Sequence, residues 1–135
     1  MIKVYLTLLL FSAVLLVYSG CKDTVTGNDI DERDKDIPDT NVSFVTHIQP
    51  VLEVKCNNAG CHNDETRAGN LSLSSYANVT SDLSVVFPGE PQNSMLVQVI
   101  QPGAAFPMPP LGYAPLTPKQ VQAITTWVKE GAKNN

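Results

Sequence analysis

Histidine, cysteine, methionine and tryptophan are scarce in this chain of 135 residues: two, three, three and one. With so few, each position carries information. Basic residues are also short: 9 Lys and Arg stand against 13 Asp and Glu, a formal net charge of -4, and they form no patch, which argues against nucleic acid as a partner. No glycine-rich phosphate loop, carboxylate pair or nucleophile with a neighbouring base stands out, so no enzyme class is supported. Alternation of apolar and polar residues is weak throughout; "NLSLSSY" has some, too little for a sheet. One long apolar run is present, and it lies at the start.

That run, Val4 to Tyr18, follows Lys3 and closes on Ser19 and Gly20, the pattern of a signal peptide. About fifteen residues is short for a membrane span. Cys21 follows at once, so the junction "YSGC" resembles a bacterial lipobox, which implies a lipidated Cys21 and a protein anchored by lipid outside the cytoplasm, in the periplasm or cell envelope. Three cysteines are odd in a compartment where pairs oxidise; assigning Cys21 to lipid leaves Cys56 and Cys61 as one local pair. Residues 21–41 then read as a lipidated cysteine and an acidic, flexible tether, with seven acids and three bases between Lys22 and Asn41 and little to bury. Residues 42–135 remain for one domain.

Its first helix is expected from Thr46 as cap, with Gln49 completing a capping box and Ile48, Val51 and Leu52 on one face. The last is better marked: Thr117 as cap, Pro118 at the first helical position, Gln120 in the box, Gly131 as the stop, and a stripe of Val121, Ile124, Trp127 and Val128. Between them "NSMLVQVI" reads as a short helix with Met95, Leu96, Val99 and Ile100 on its apolar face. "FPMPP" cannot be regular helix, because proline removes donors and restricts the residue before it. The expectation is a mostly α domain with long, proline-rich loops.

The chemistry concentrates in "CNNAGCH". A cysteine pair directly followed by His at the end of a helix is a way to hold haem c: the thiols join the vinyl groups and the imidazole binds iron. Here four residues separate Cys56 from Cys61 where two are usual, so the link must bulge, and Asn and Gly suit the left-handed backbone that a bulge needs. A second iron ligand must come from further on. Met108, 46 positions after His62 and fixed between Pro107 and Pro109, fits; His47 lies about 13 Å from Cys56 along a helix and reads as a solvated first-turn residue. Met95 is the rival, but its place on an apolar helical face marks it as core. Other readings are a Cys56–Cys61 disulfide in a lipoprotein binding module without haem, and a zinc site short of the four ligands that it wants.

Residues 44 to 132 resemble the small c-type cytochrome domains of exported bacterial proteins, including those first named from planctomycetes. The resemblance is carried by "HIQPVLEVKCNNAGCH", "GNLSLSSY", "PGEPQNSMLVQVI", "FPMPP" and "LTPKQVQAITTWVKEGA". It implies a class I cytochrome c-like fold around one covalently bound haem c, with Cys56 and Cys61 as attachment points, His62 as proximal iron ligand and Met108 as distal ligand. The function implied is electron transfer, not catalysis, with redox proteins of the cell envelope as partners. Phe44, Ile48, Leu52, Leu71, Leu96, Phe106 and Trp127 are expected to surround the haem, which would then be the centre of the core and leave the apo-protein poorly folded.

Overall fold

Ser43 starts the first helix. Its hydroxyl accepts from the backbone N–H of Thr46, and Asn135, arriving from far along the chain, covers the donors that remain. The Asn135 backbone oxygen accepts from Val45 N–H at 3.0 Å, and its Oδ1 accepts from Phe44 N–H at 2.9 Å. First-turn N–H groups have no partner within a helix, so these contacts fix where the helix begins, three residues before Thr46. In this computed structural model, which describes residues 31–135, the helix opens as a π-helical turn, Phe44–Ile48, and continues as α1, Gln49–Lys55. Pro50 sits at the junction; it has no N–H to donate to the preceding turn. Gln49 bonds Glu53 and takes no part in a capping box.

The remaining helices are α2, Tyr76–Val79, α3, Met95–Ile100, and α4, Pro118–Lys129, with short 3-10 turns between them. All regular structure among the described residues is helical, so the mostly α expectation holds. The α4 signals act as read: Thr117 Oγ1 accepts from Gln120 N–H, Gln120 Oε1 accepts from Thr117 N–H, and Gly131 turns the chain at φ 97°. Helix α3 departs from expectation. It buries Leu96, Val97 and Ile100 and leaves Met95 51% exposed, so Met95 is not core.

The core needs no added group at its centre. Phe44 packs edge-on against Tyr76 with ring centroids 5.2 Å apart and lies 5.3 Å from Trp127. Ile48, Leu52, Ile124 and Trp127 are fully buried with them. Trp127 also donates its ring N–H to the carbonyl of Lys133.

The acidic stretch, where it is described, is not a free tether. Arg33–Asp36 forms a 3-10 turn and Ile37 is buried. Asp31 pairs with Lys55 at 2.9 Å, Asp31 and Asp34 both accept from Gln120 Nε2, and Asp39 meets Lys119. Acids gathered at the start of α4 also favour its helix dipole. The signal peptide and Cys21 lie outside the described residues.

Candidate haem site

Helix α1 ends at Cys56, whose N–H still reaches the carbonyl of Leu52. The four-residue link then bulges as the spacing demands. Gly60 takes φ 83°, Cys61 N–H closes a turn on Asn58, and His62 N–H returns to the carbonyl of Cys56 at 3.1 Å. Of the residues expected to allow the bulge, Gly60 alone adopts the left-handed backbone. From the other side, Met108 is tied by its N–H to the carbonyl of Val99 at 2.9 Å, on one of the α3 carbonyls that have no partner within the helix.

These two segments face one open cavity of about 230 Å³. Cys56, Cys61, His62 and Met108 all line it, so four residues picked from sequence, two of them 46 positions apart, meet at one place. Gly60, Ala68, Gly69, Pro109, Pro110, Tyr113 and Lys55 complete the wall. Small side chains and proline rings leave a broad, apolar slot. His47 is elsewhere: its Nδ1 accepts from Ser43 N–H at the opposite end of the helix.

None of the seven residues expected around the haem lines this cavity. Phe44, Ile48, Leu52, Leu96 and Trp127 belong to the core beside it, Leu71 packs against that core, and Phe106 is 82% exposed. Hydrophobicity along the sequence cannot separate core from cavity wall. The wall residues that sequence reasoning missed, Ala68 and Gly69, fall just before "NLSLSSY", where Arg67, Gly69 and Asn70 all adopt positive φ. That cluster of left-handed residues marks a constrained turn, and the Ala-Gly pair was the available signal.

The donor set suits haem c. Neither thiol is engaged in a disulfide. Burial, reinforced by the neighbouring Cys61 and only partly offset by Lys55, pushes the Cys56 thiol up to about 12. Nδ1 of His62 is sealed from solvent and has no hydrogen-bond partner, an uncommon state for a buried polar atom. An imidazole, a thioether sulfur and two thiols around an apolar slot match the chemistry that holds haem iron and its vinyl groups. Zinc lacks its ligands: among the described residues no group of three or more His, Cys, Asp or Glu could hold a metal ion.

The family model described as Planctomycete cytochrome C matches residues 59–112. The match spans Cys61, His62 and Met108 and begins three residues after Cys56. No curated protein and no solved structure matches the chain.

Proposed function

We propose that this protein is a membrane-tethered haem c electron carrier working outside the cytoplasm; residues 59–112 match the model of planctomycete cytochrome c domains, and such a domain points to haem-binding electron transfer. The observation that carries the reading is the convergence of Cys56, Cys61, His62 and Met108 on one apolar cavity. In this reading Cys56 and Cys61 would hold one haem by thioethers, and His62 and Met108 would bind its iron. The bound group supplies a one-electron couple, and a His/Met ligand pair goes with raised potential.

This chain's residues then serve a carrier and not an enzyme. With His62 and Met108 both engaged on the iron, no position would be left there for a substrate. The exposed link Asn58 to Gly60 brings one edge of the site to the surface, a route for the electron to partner proteins of the envelope. Anchoring rests on Cys21 and the "YSGC" junction; among the described residues no helix is long and apolar enough to cross a membrane. Replacing Cys21 by Ser is expected to abolish lipid processing and membrane partition, and unchanged partition would refute the anchor.

The haem claim is tested by expressing the mature domain with a haem-attachment system and recording its pyridine haemochrome spectrum. A thioether-type spectrum is expected. A colourless, folded protein with a Cys56–Cys61 disulfide in its peptide map would instead support a stapled binding module.

A further inference from the structure

Among the described residues that line the cavity, Lys55 alone carries a fixed charge. It closes α1, where a cation suits the helix dipole, yet only 3% of its side chain is exposed. An ammonium taken out of water needs partners. Lys55 Nζ lies 2.9 Å and 3.2 Å from the two carboxylate oxygens of Asp31, and it donates to the carbonyl of Pro115 at 3.4 Å.

Asp31 is in turn held from behind. Gln120 is fully buried, and its Oε1 accepts from Thr117 N–H in the capping box of α4. Its Nε2 is thereby left as a donor, to Asp31 at 2.9 Å and to Asp34 at 3.0 Å. The acidic arm thus brings one negative charge to the one positive charge of the cavity wall, and the start of α4 fixes its place. Asp64, Glu65 and Arg67, which follow His62 in the chain, are exposed, and solvent and salt screen them.

Burial gives the Lys55 charge its reach, because the effective dielectric constant near a protein surface is about 20 against about 80 in water. That charge is felt in the wall: burial and the neighbouring Cys61 push the Cys56 thiol up, and Lys55 pulls against them. When haem iron gains one electron, the site loses one unit of positive charge. A cation in the wall therefore favours the reduced form, and an anion favours the oxidised form.

We propose that the Asp31–Lys55 pair sets the reduction potential of the site: Lys55 supplies a positive charge in the cavity wall, and Asp31, carried by the arm, offsets it. On the electron-carrier reading, on which this rests, the seating of the arm against α4 decides how much of the Lys55 charge reaches the iron.

The test is voltammetry of the full chain produced with a haem-attachment system, the electrode supplying the electron. Asp31→Asn keeps an acceptor for Lys55 and Gln120 but removes the charge, and should raise the potential. Lys55→Gln removes the cation and leaves Asp31, and should lower it. The double variant should fall between the two, and the absorption spectrum should stay that of the wild type throughout. A clasp that only holds the arm predicts shifts of one sign or none, since either variant loosens the same contact. Shifts of one sign, or unmoved potentials, in a haem-loaded chain overturn the proposal alone. If Lys55→Gln does not fold, Asp31→Asn decides by its rise or its lack of one. A chain that takes up no haem overturns the electron-carrier reading and the proposal with it.

Discussion

Cys56 is 9% exposed and its thiol is pushed up to about 12 by burial. Because the thiolate is the nucleophile, the folded wall presents an unreactive sulfur, and joining it to a vinyl group calls for the chain to be open there. The same burial makes stability depend on pH. In the unfolded chain the thiol ionises near ~8.5, whereas in the folded chain it does not until about 12. Its contribution is therefore fully present below ~8.5 and is lost as pH rises toward 12. The haem-free domain should show a falling thermal midpoint between neutral pH and pH ~10, a slope reduced in Cys56→Ala and absent once the sulfur is a thioether. Equal slopes in the three proteins would contradict the burial of Cys56.

Met95 and Met108 divide clearly. Met108 faces the cavity and Met95 faces solvent. Met108→Ala should abolish the sulfur-to-iron charge-transfer band of the oxidised protein and lower its potential while haem stays attached. Met95→Ala should change stability by about 0.5 kcal/mol or less, as exposed substitutions do, and leave the spectrum alone. Loss of the band in Met95→Ala with retention in Met108→Ala would overturn the ligand assignment.

At the scale of elements, what was legible followed from whether the controlling contact was local. Helix α4 could be read because Thr117, Pro118, Gln120 and Gly131 act on neighbours three or four residues away. Helix α1 was started too late because Ser43 is its cap and Asn135, 91 positions from Phe44, completes the capping. No pattern near Thr46 encodes that. Helix α3 has six residues, too few to define a stripe, and its face is set by Ser94, which is fully buried with its hydroxyl accepting from Phe87 N–H. Thr117→Ala should therefore cost about 1 kcal/mol, measurable by urea unfolding; no change would mean that the capping box does not hold α4.

The acidic arm was misjudged by composition for a similar reason. Among its described residues up to Asn41, Ile37 is the one buried apolar side chain, and acids there find partners at Lys55, Gln120 and Lys119. Partial burial raises the Asp31 carboxyl, but hydrogen bonds from Lys55 and Gln120 and the Lys55 charge outweigh it and hold it below the usual range. Its contribution is present above ~3.9 and fades as pH falls through the lowered value. Lys55, with 3% of its side chain exposed, depends on that partner. Asp31→Ala should destabilise by about 1–3 kcal/mol through the charge it strands, and an unchanged urea midpoint would show that the arm does not latch.

For the whole molecule, the division into a self-sufficient aromatic core and a separate cavity has a consequence opposite to the one drawn from sequence. Phe44, Tyr76 and Trp127 pack on one another and not on the slot. The haem-free chain should thus unfold cooperatively and keep near-ultraviolet circular dichroism from Trp127; a flat spectrum there would show that the core needs the haem after all. Trp127→Ala should cost about 3–5 kcal/mol in either form. What the sequence showed of the site was its chemistry, four residues with the means to hold a haem. What it could not show was the wall, because Gly60, Ala68, Gly69 and the prolines carry no signature except the space they leave.

The central claim is that one haem is joined covalently to Cys56 and Cys61. The mass of the protein, measured under denaturing conditions after production with a haem-attachment system, tests it most directly. The account predicts a gain of one haem that survives denaturation and disappears when both cysteines are replaced by Ser. A mass without haem, or a haem that washes away on denaturation of the wild-type protein, would contradict it.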